Sequence, residues 1–279
     1  MVVKLDELRD NGAHDREAVN PFERLLNIER HFDMHESAEW TANNWWVAIL
    51  AVILYVSFIF QVGPNMMEGR KGFELTILLV LWNLMLASFS FFGAYRAGTY
   101  LVSALVKTTY RDTICTNPYE SWGSNGPVAF WTMCMCYSKV VELGDTVFII
   151  LRKKPLLFLH WYHHITVLLF CWLAYSIPTG SGIYFVAMNY SVHAIMYFYY
   201  AMKAIHLVPK SFPAALITQM QSIQMMIGII VCLSGWYYRI IGQQCDNDIK
   251  IMIAGATMYS SYLFLFLQFA YDKYVKKGK

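Results

Sequence analysis

Long apolar runs separated by short polar breaks dominate the chain after residue 43. A helix that crosses a bilayer needs about 20 mostly apolar residues. Stretches of that kind lie near residues 45–62, 74–95, 128–150, 156–176, 183–204, 213–237 and 250–270. The second run continues past Arg96 towards Val106, so the pattern leaves its end open. The pattern predicts an all-α polytopic membrane protein with seven transmembrane helices.

Residues 1–43 contain no long apolar run and carry ten acidic and five basic residues. Lys4, Asp6 and Arg9 stand where a signal peptide would have its apolar core. We expect a polar lumenal N-terminal tail over 1–43, with one short amphipathic turn around Phe22, Leu25, Leu26 and Ile28. A single membrane domain over 44–272 and a basic cytosolic tail over 273–279 follow.

Composition supports the membrane interpretation, because 57% of the residues are hydrophobic and 15% are charged, against about 25% charged in soluble domains. The net charge of +3 is too small to indicate a nucleic-acid partner. The six cysteines include no CxxC, which argues against a zinc knuckle or a thioredoxin-like motif.

Lysine and arginine collect in the cytosolic loops of membrane proteins. Eleven of them lie at or after the ends of the first, third, fifth and last spans, whereas four lie in the opposite loops. This asymmetry predicts a lumenal N-terminus and a cytosolic C-terminus. The five basic residues of the N-terminal tail argue for the opposite orientation, but its ten acidic residues offset them. The final residues, VKKGK, resemble the dilysine retrieval signal of endoplasmic-reticulum membrane proteins. A snorkelling anchor after the last span is the alternative.

Ionisable residues inside spans indicate function by default, and here they cluster in three neighbouring spans. In the third span, Lys139, Glu142 and Thr146 share a helical face, with Asp145 off that face. A structural Lys–Glu pair is the alternative. The fourth span opens with FLHWYHHITVLLF, in which spacings of three and four gather three imidazoles on one face: His160, His163 and His164.

The fifth and sixth spans add further polar residues. One stripe of the fifth span carries Asn189, His193, Met196, Tyr197 and Tyr200. The sixth span carries Thr218, Gln219, Gln221 and Gln224. Taken separately, His193 is explained by an interhelical hydrogen bond and the glutamines by contacts that hold helices together.

In the predicted orientation these polar residues lie toward the cytosolic end of their spans. We expect them to line one cavity that opens to the cytosol, with Arg152, Lys153 and Lys154 at its mouth. Basic residues there suit a phosphate-bearing head group, and apolar walls behind the histidines suit an acyl chain. The combination describes an acyl-CoA, with ordinary positive-inside topology as the alternative for the three basic residues.

Two classes of enzyme use clustered histidines in membranes. Di-iron oxygenases need several paired histidine boxes, but of the eight histidines three lie in the tail and His206 lies near a loop. Acyl transfer needs a single cluster, in which an imidazole acts as nucleophile or base. The sequence therefore favours acyl transfer. A seven-span receptor or transporter is the non-enzymatic alternative, and we find no inverted repeat of the kind many transporters contain.

Four motifs in order over residues 139–221 resemble the very-long-chain fatty acid elongases, condensing enzymes of the endoplasmic reticulum. The motifs are Lys139-x-x-Glu142-Leu143-x-Asp145-Thr146, His160-x-x-His163-His164, Asn189-x-x-x-His193-x-x-Met196-Tyr197-x-Tyr199-Tyr200 and Thr218-Gln219-Met220-Gln221. The sequence around the histidine box is most similar to the branch that uses saturated and monounsaturated acyl-CoA of medium to long length.

The resemblance implies a 3-ketoacyl-CoA synthase, which condenses an acyl-CoA with malonyl-CoA and releases carbon dioxide and CoA. It implies seven helices, six of them in a ring around an acyl tunnel. His163 would take the acyl group, and His193 would assist decarboxylation or polarise the malonyl thioester. His160 and His164 would orient and buffer protons, held by Glu142 and Asp145. The remaining expected substrate-binding residues are Lys139, Asn189, Tyr197, Tyr200, Gln221, Arg152, Lys153 and Lys154.

The resemblance also implies a disulfide between the two lumenal loops, from Cys115 to Cys245. It implies no metal and no redox cofactor, because the NADPH steps belong to separate enzymes. Those enzymes, the ketoacyl reductase, dehydratase and enoyl reductase of the elongation cycle, are the expected protein partners, beside the two CoA substrates and the bilayer. The sequence leaves the preferred chain length and the oligomeric state open, with a homodimer among the alternatives.

Overall fold

The computed structural model describes residues 21–209 and 211–276. Within those ranges the chain is all-helical, and its single β feature is an isolated bridge between Asp33 and Asn125. The first twenty residues of the predicted tail, Lys210 and the second lysine of the C-terminal pair lie outside the described residues.

Eleven α-helices follow one another in the described ranges, counting each π turn with the helix it continues and leaving aside the 3-10 helix Pro118–Glu120. Two short ones come first, α1 (Pro21–His31) and α2 (Met34–Asn43). The others are α3 (Trp45–Met67), α4 (Thr76–Lys107), α5 (Tyr110–Cys115), α6 (Pro127–Glu142), α7 (Gly144–Leu151), α8 (Phe158–Ser176), α9 (Gly182–Ala204), α10 (Ala215–Ile240) and α11 (Ile249–Val275).

Four of these helices, α3, α4, α10 and α11, are long and apolar enough to cross a membrane by length and composition. The chain is therefore a multi-pass membrane protein. The other three predicted spans are not among these four helices, and the reason is physical. The third is interrupted between α6 and α7 at Leu143, and the fourth and fifth carry the histidines and other polar residues of the sequence motifs.

The end of the second predicted span, which the sequence pattern left open, lies at Lys107, because α4 continues past Arg96. Arg96 is accommodated in this helix by a carboxylate from the N-terminal segment. Its guanidinium donates to both carboxylate oxygens of Glu29, at 3.1 and 2.6 Å, and Glu29 also accepts a hydrogen bond from the indole of Trp131. Glu29 is only 3% exposed, so α1 is fastened to α4 and α6 by a buried charge.

Within the predicted polar tail, residues 34–43 form a second helix, α2, that packs on the bundle. Thr41 bonds to the hydroxyl of Tyr137 at 2.8 Å and its carbonyl accepts from the indole of Trp172 at 2.9 Å. Ser37 bonds to Tyr175 at 2.6 Å. These contacts hold α2 against α6 and α8.

The longest helix pairings join α4 with α9 and α10 with α11. A glycine permits the first of them, since a Cβ at Gly93 would lie 2.5 Å from the ring of Tyr190. Tyr190 is buried and donates to the carbonyl of Trp131 at 2.7 Å, which ties α9 to α6 as well.

The loops at one end of the bundle are joined covalently by a disulfide between Cys115 and Cys245, the pair that the family resemblance implies. The amide of Asp246 donates to the carbonyl of Cys115 at 2.8 Å, and the amide of Gly180 donates to the carbonyl of Asp246 at 3.0 Å. A side chain at Gly180 would meet the carbonyls of Ile114 and Thr116 at 2.5 Å, so this junction requires glycine.

Candidate active site

Lys139 and Glu142 form a buried ion pair at the end of α6, with side chains 2% and 4% exposed. The ammonium of Lys139 donates to Glu142 Oε1 at 2.8 Å and to Asn189 Oδ1 on α9 at 2.9 Å. The hydroxyl of Ser138 donates to the same carboxylate oxygen at 2.9 Å. Two such charges are tolerated at this depth only because each has a charged partner and further hydrogen bonds.

His193 completes this network one turn after Asn189 on α9. Because Asn189 Oδ1 faces Lys139, its amide NH₂ faces His193 Nε2, at 3.2 Å. Nδ1 of His193 lies 3.7 Å from Glu142 Oε2. Asn189 therefore fixes the neutral imidazole with its proton on Nδ1, directed toward the carboxylate of Glu142.

The interruption between α6 and α7 turns the next two polar side chains in new directions. Asp145 accepts from the indole of Trp82 at 2.6 Å and from the hydroxyl of Tyr197 at 2.8 Å. Thr146, which is fully buried, bonds to His160 Nε2 at 2.9 Å.

The expectation that Glu142 and Asp145 hold His160 and His164 differs from these contacts. The acids bond to Ser138, Lys139, Trp82 and Tyr197, and it is Thr146 that bonds to His160. The break at Leu143 is the physical reason, since it removes α7 from the helical register that a continuous third span would have.

The three histidines of α8 lie close together at its first two turns. The ring centroids of His160 and His164 are 4.4 Å apart, and those of His163 and His164 are 5.5 Å apart. His163 also lies 4.9 Å from the ring of Tyr262 on α11. In the described ranges the rings of His163 and His164 have no hydrogen-bond partner, so their nitrogens are free to meet a molecule in the cavity they line.

A cavity of about 240 Å³ collects most of the predicted site residues. All four candidate catalytic histidines line it, together with Glu142, Asp145, Asn189, Tyr197, Tyr200 and Gln221. Lys139 lies behind this lining and reaches the site through its bond to Asn189.

The predicted basic mouth is not formed by Arg152, Lys153 and Lys154, which are absent from the cavity lining. They follow α7 in a turn that packs against the α3–α4 connection, where Phe73 donates its amide to the carbonyl of Leu151 at 2.9 Å. Among the described residues, the cations that line the cavity are Lys203, at the end of α9, and Lys273, at the end of α11.

A second, mostly apolar cavity of about 70 Å³ lies deeper in the bundle and shares Asn189 with the first. Its walls include Val167, Phe170, Phe185 and Met258. Among its lining residues are also Met34 from α2 and Trp122 from the loop before α6, both buried. The polar site thus continues into an apolar space near the disulfide end of the molecule.

Sequence reasoning missed Tyr55, Trp82, Lys203 and Lys273. Tyr55 is the only hydroxyl-bearing residue among residues 45–56, and such an isolated polar group is the one signal that could have drawn attention to it. Lys203 lies at the end of the fifth predicted span and Lys273 just after the last one, and both are indistinguishable in sequence from ordinary lysines at span ends.

Known proteins similar to this chain agree with the motifs. The family described as ELO: GNS1/SUR4 matches residues 40–279. Very long chain fatty acid elongase 6 of Homo sapiens is 42% identical over 254 residues, which cover 90% of this chain and 92% of that protein. Very long chain fatty acid elongase 3 of Homo sapiens is 37% identical over 266 residues, covering 95% and 94%. The elongase 6 of Drosophila melanogaster is 37% identical over 264 residues, covering 94% and 83%.

The fold, the buried polar site and these similarities define a multi-pass membrane enzyme of lipid metabolism. The chain belongs to the ELO: GNS1/SUR4 family, to which the elongases belong. The predicted membership in the fatty acid elongase family is confirmed.

Proposed function

We propose that this protein is a 3-ketoacyl-CoA synthase, which condenses a long-chain acyl-CoA with malonyl-CoA. The observation that carries the proposal is the gathering of four histidines on one cavity that has lysines in its lining and adjoins an apolar cavity through Asn189. An acyl-CoA fits this arrangement, with its charged CoA beside the lysines, its thioester beside the histidines and its hydrocarbon tail in the apolar cavity.

In the first half-reaction, a ring nitrogen of His163 attacks the thioester carbonyl of the acyl-CoA. A carbon–nitrogen bond forms, the carbon–sulfur bond breaks, and CoA leaves as a thiolate that takes the proton lost by the acylated imidazole ring. The free ring nitrogens of His163 support this role. His193 is a poorer candidate for the nucleophile, because Asn189 occupies its Nε2 and its Nδ1 faces Glu142.

In the second half-reaction, malonyl-CoA loses carbon dioxide, and the carbanion that remains attacks the acyl-imidazole carbonyl. The carbon–nitrogen bond breaks, the imidazole of His163 takes up one proton from the solvent on the cytosolic side, and 3-ketoacyl-CoA is formed. His193, oriented by Asn189, assists decarboxylation or polarises the malonyl thioester, while His160 and His164 orient and buffer protons. Neither half-reaction oxidises or reduces the substrates, so this scheme needs no redox cofactor.

Lys203 and Lys273 are the residues we assign to the phosphates of CoA. Both line the cavity, and the ammonium of Lys273 lies 4.9 Å from the ring centroid of Phe269 and 5.1 Å from that of Tyr274, which limits its orientation. Ammonium groups bind phosphates as point charges. Tyr197, Tyr200 and Gln221 complete the proposed substrate-binding lining.

The proposed architecture has seven spans, six of them in a ring around the acyl tunnel. The helix contacts support it, since α4, α9, α10, α11, α8 and α6 each pack against the next and α6 packs against α4. The α6–α7 unit counts as one span, and α3 packs outside the ring on α8.

We place the protein in the endoplasmic-reticulum membrane, with the disulfide end in the lumen and the C-terminus in the cytosol. The histidines open α8, and the cavity lysines close α9 and α11, so the site lies at the same end as the C-terminus. In that orientation the oxidising compartment holds the disulfide. The reductases and the dehydratase of the elongation cycle would act on the product from the cytosolic side.

Microsomes that express the chain provide the test. They are supplied with palmitoyl-CoA and carboxyl-labelled malonyl-CoA without NADPH, and released label and 3-ketoacyl product are measured together. We expect both in equal amounts, above the level of microsomes that lack the chain. A wild-type chain that gave neither across a series of acyl lengths would overturn the proposal, and stoichiometric iron in the active, purified protein would point to di-iron chemistry instead.

A further inference from the structure

Tyr55 occupies an unusual place on α3. Most of that helix faces outward, as a lipid-contacting span requires, and between Trp45 and Ser57 only Ala48 and Tyr55 are buried. The side chain of Tyr55 enters the bundle between α7 and α8. Its hydroxyl lies 2.8 Å from Thr146 Oγ1, and its ring centroid lies 6.4 Å from that of His164.

Thr146 connects this tyrosine to the histidine cluster. Its hydroxyl oxygen lies 2.8 Å from Tyr55 Oη and 2.9 Å from His160 Nε2. Thr146 is fully buried and Tyr55 is 5% exposed. The three groups therefore form a hydrogen-bonded chain that starts on the outermost span and ends at an imidazole in the cavity lining.

The direction of this chain follows from the donors available. Among the described residues, Thr146 is the only hydrogen-bond partner of the Tyr55 hydroxyl. If Thr146 donated to Tyr55, the phenolic proton would be buried without an acceptor, which is costly. Tyr55 must therefore donate to Thr146, and Thr146 donates to Nε2 of His160.

We propose that Tyr55, acting through Thr146, is a positioning residue that fixes His160 in the tautomer with its proton on Nδ1. This inference rests on the proposed condensing function and adds a residue of the first span to its site. The ring of His160 lies 4.4 Å from that of His164, so a fixed tautomer also sets which nitrogen His160 presents to the other histidines. Without it, His160 would populate both tautomers and both ring orientations.

Three single variants and one double variant test the chain in the label-release assay, with kcat and the KM for palmitoyl-CoA measured separately. Tyr55→Phe and Thr146→Val should each lower kcat about tenfold, the order expected for loss of one buried hydrogen bond that orients a reacting group. KM should change less than twofold, since neither side chain touches the substrate-binding lysines. Thr146→Ser keeps the hydroxyl and should restore most of kcat.

The double variant Tyr55→Phe/Thr146→Val separates a relay from ordinary packing. If Tyr55 acts only through Thr146, the double variant should be no slower than Thr146→Val alone, because neighbours in one network are not additive. The matched control is Tyr95→Phe, which removes a hydroxyl from a tyrosine of α4 that is 58% exposed. It should leave kcat unchanged.

Three outcomes would each overturn the inference. Tyr55→Phe could keep the wild-type kcat, or the kcat of the double variant could fall by the product of the two single losses. Thr146→Ser could also be as slow as Thr146→Val. If Tyr55→Phe does not yield folded protein by size-exclusion chromatography, the comparison of Thr146→Ser with Thr146→Val decides. Failure of the proposed function looks different, because the wild-type chain would then release no label at all.

Discussion

At the scale of single residues, the site is governed by how each polar group finds a partner away from water. Lys139 is neutralised by Glu142, and Asn189 distributes its two ends between Lys139 and His193. His163 and His164 are the exceptions, since their ring nitrogens have no partner in the described part of the chain. Of these two free imidazoles, His163 is the one that the family resemblance assigns as nucleophile, and we expect it to react.

His163→Ala should abolish transfer of an acyl group to the protein, because it removes the proposed nucleophile. The measurement is covalent label on the purified protein after incubation with radiolabelled palmitoyl-CoA in the absence of malonyl-CoA. His206→Asn is the control, at an exposed histidine in a loop with a φ of 59°, a conformation that asparagine tolerates. A normal acyl-enzyme in His163→Ala would move the nucleophile elsewhere.

Lys203→Met and Lys273→Met should each raise the KM for acyl-CoA about tenfold with little change in kcat, because each loses one charge-assisted contact to a phosphate. The effect should shrink as salt is added. Lys154→Met is the matched control, since Lys154 does not line the cavity. If Lys154→Met raised KM while the other two did not, the sequence-based mouth would be right and the assignment from the cavity wrong.

At the scale of helices, the N-terminal segment does more than the sequence pattern indicates. The predicted amphipathic turn is the helix α1, which leaves Leu25 and Ile28 exposed and buries Glu29. α2 then places Met34 at the far end of the apolar cavity, beside Trp122. This part of the predicted polar tail thus contributes to the wall of the space in which we place the acyl chain.

Met34→Ala should shift the product distribution toward longer acyl chains by about one two-carbon unit, because it removes a buried side chain that limits the cavity. Products are measured by mass spectrometry after supplying acyl-CoA of increasing length. Met66→Ala is the same substitution at a methionine of α3 that is 36% exposed, and it should leave the distribution unchanged. An unaltered product distribution in Met34→Ala would mean that the acyl chain of the substrate does not reach α2.

At the scale of the whole molecule, the polar site and the disulfide lie at opposite ends of the bundle. One end collects the start of α8 and the ends of α9 and α11, and the other collects the loops around Cys115, Gly180 and Cys245. The bond between Cys115 and Cys245 closes a loop of 130 residues that contains all four candidate catalytic histidines, although the disulfide and the histidines lie at opposite ends of the bundle.

Cys115→Ser should lower the free energy of unfolding by roughly 2–5 kcal/mol, because it removes a cross-link that closes a long loop. The measurement is thermal unfolding of the detergent-solubilised protein, with and without reductant. Cys134→Ser is the control, at a free cysteine. Equal melting temperatures for wild type and Cys115→Ser under oxidising conditions would contradict the expectation.

Hydropathy and residue spacing were enough to predict the all-helical membrane class, the approximate helix positions and most of the polar residues gathered at the cavity. Hydrophobic runs and histidine spacing are local properties, and local spacing along a helix is preserved on folding. The sequence could not reveal the break at Leu143, the pairing of Arg96 with Glu29, or that Lys203 and Lys273 line the cavity in place of Arg152, Lys153 and Lys154.

Those features depend on residues far apart in the chain. Glu29 lies 67 positions from the Arg96 it neutralises, and Tyr55 lies 91 positions from Thr146. Only the packed bundle brings such groups within hydrogen-bonding distance, because a buried polar group takes whichever partner the fold places beside it. The tertiary structure therefore decided which partner each histidine has, and which lysines line the cavity.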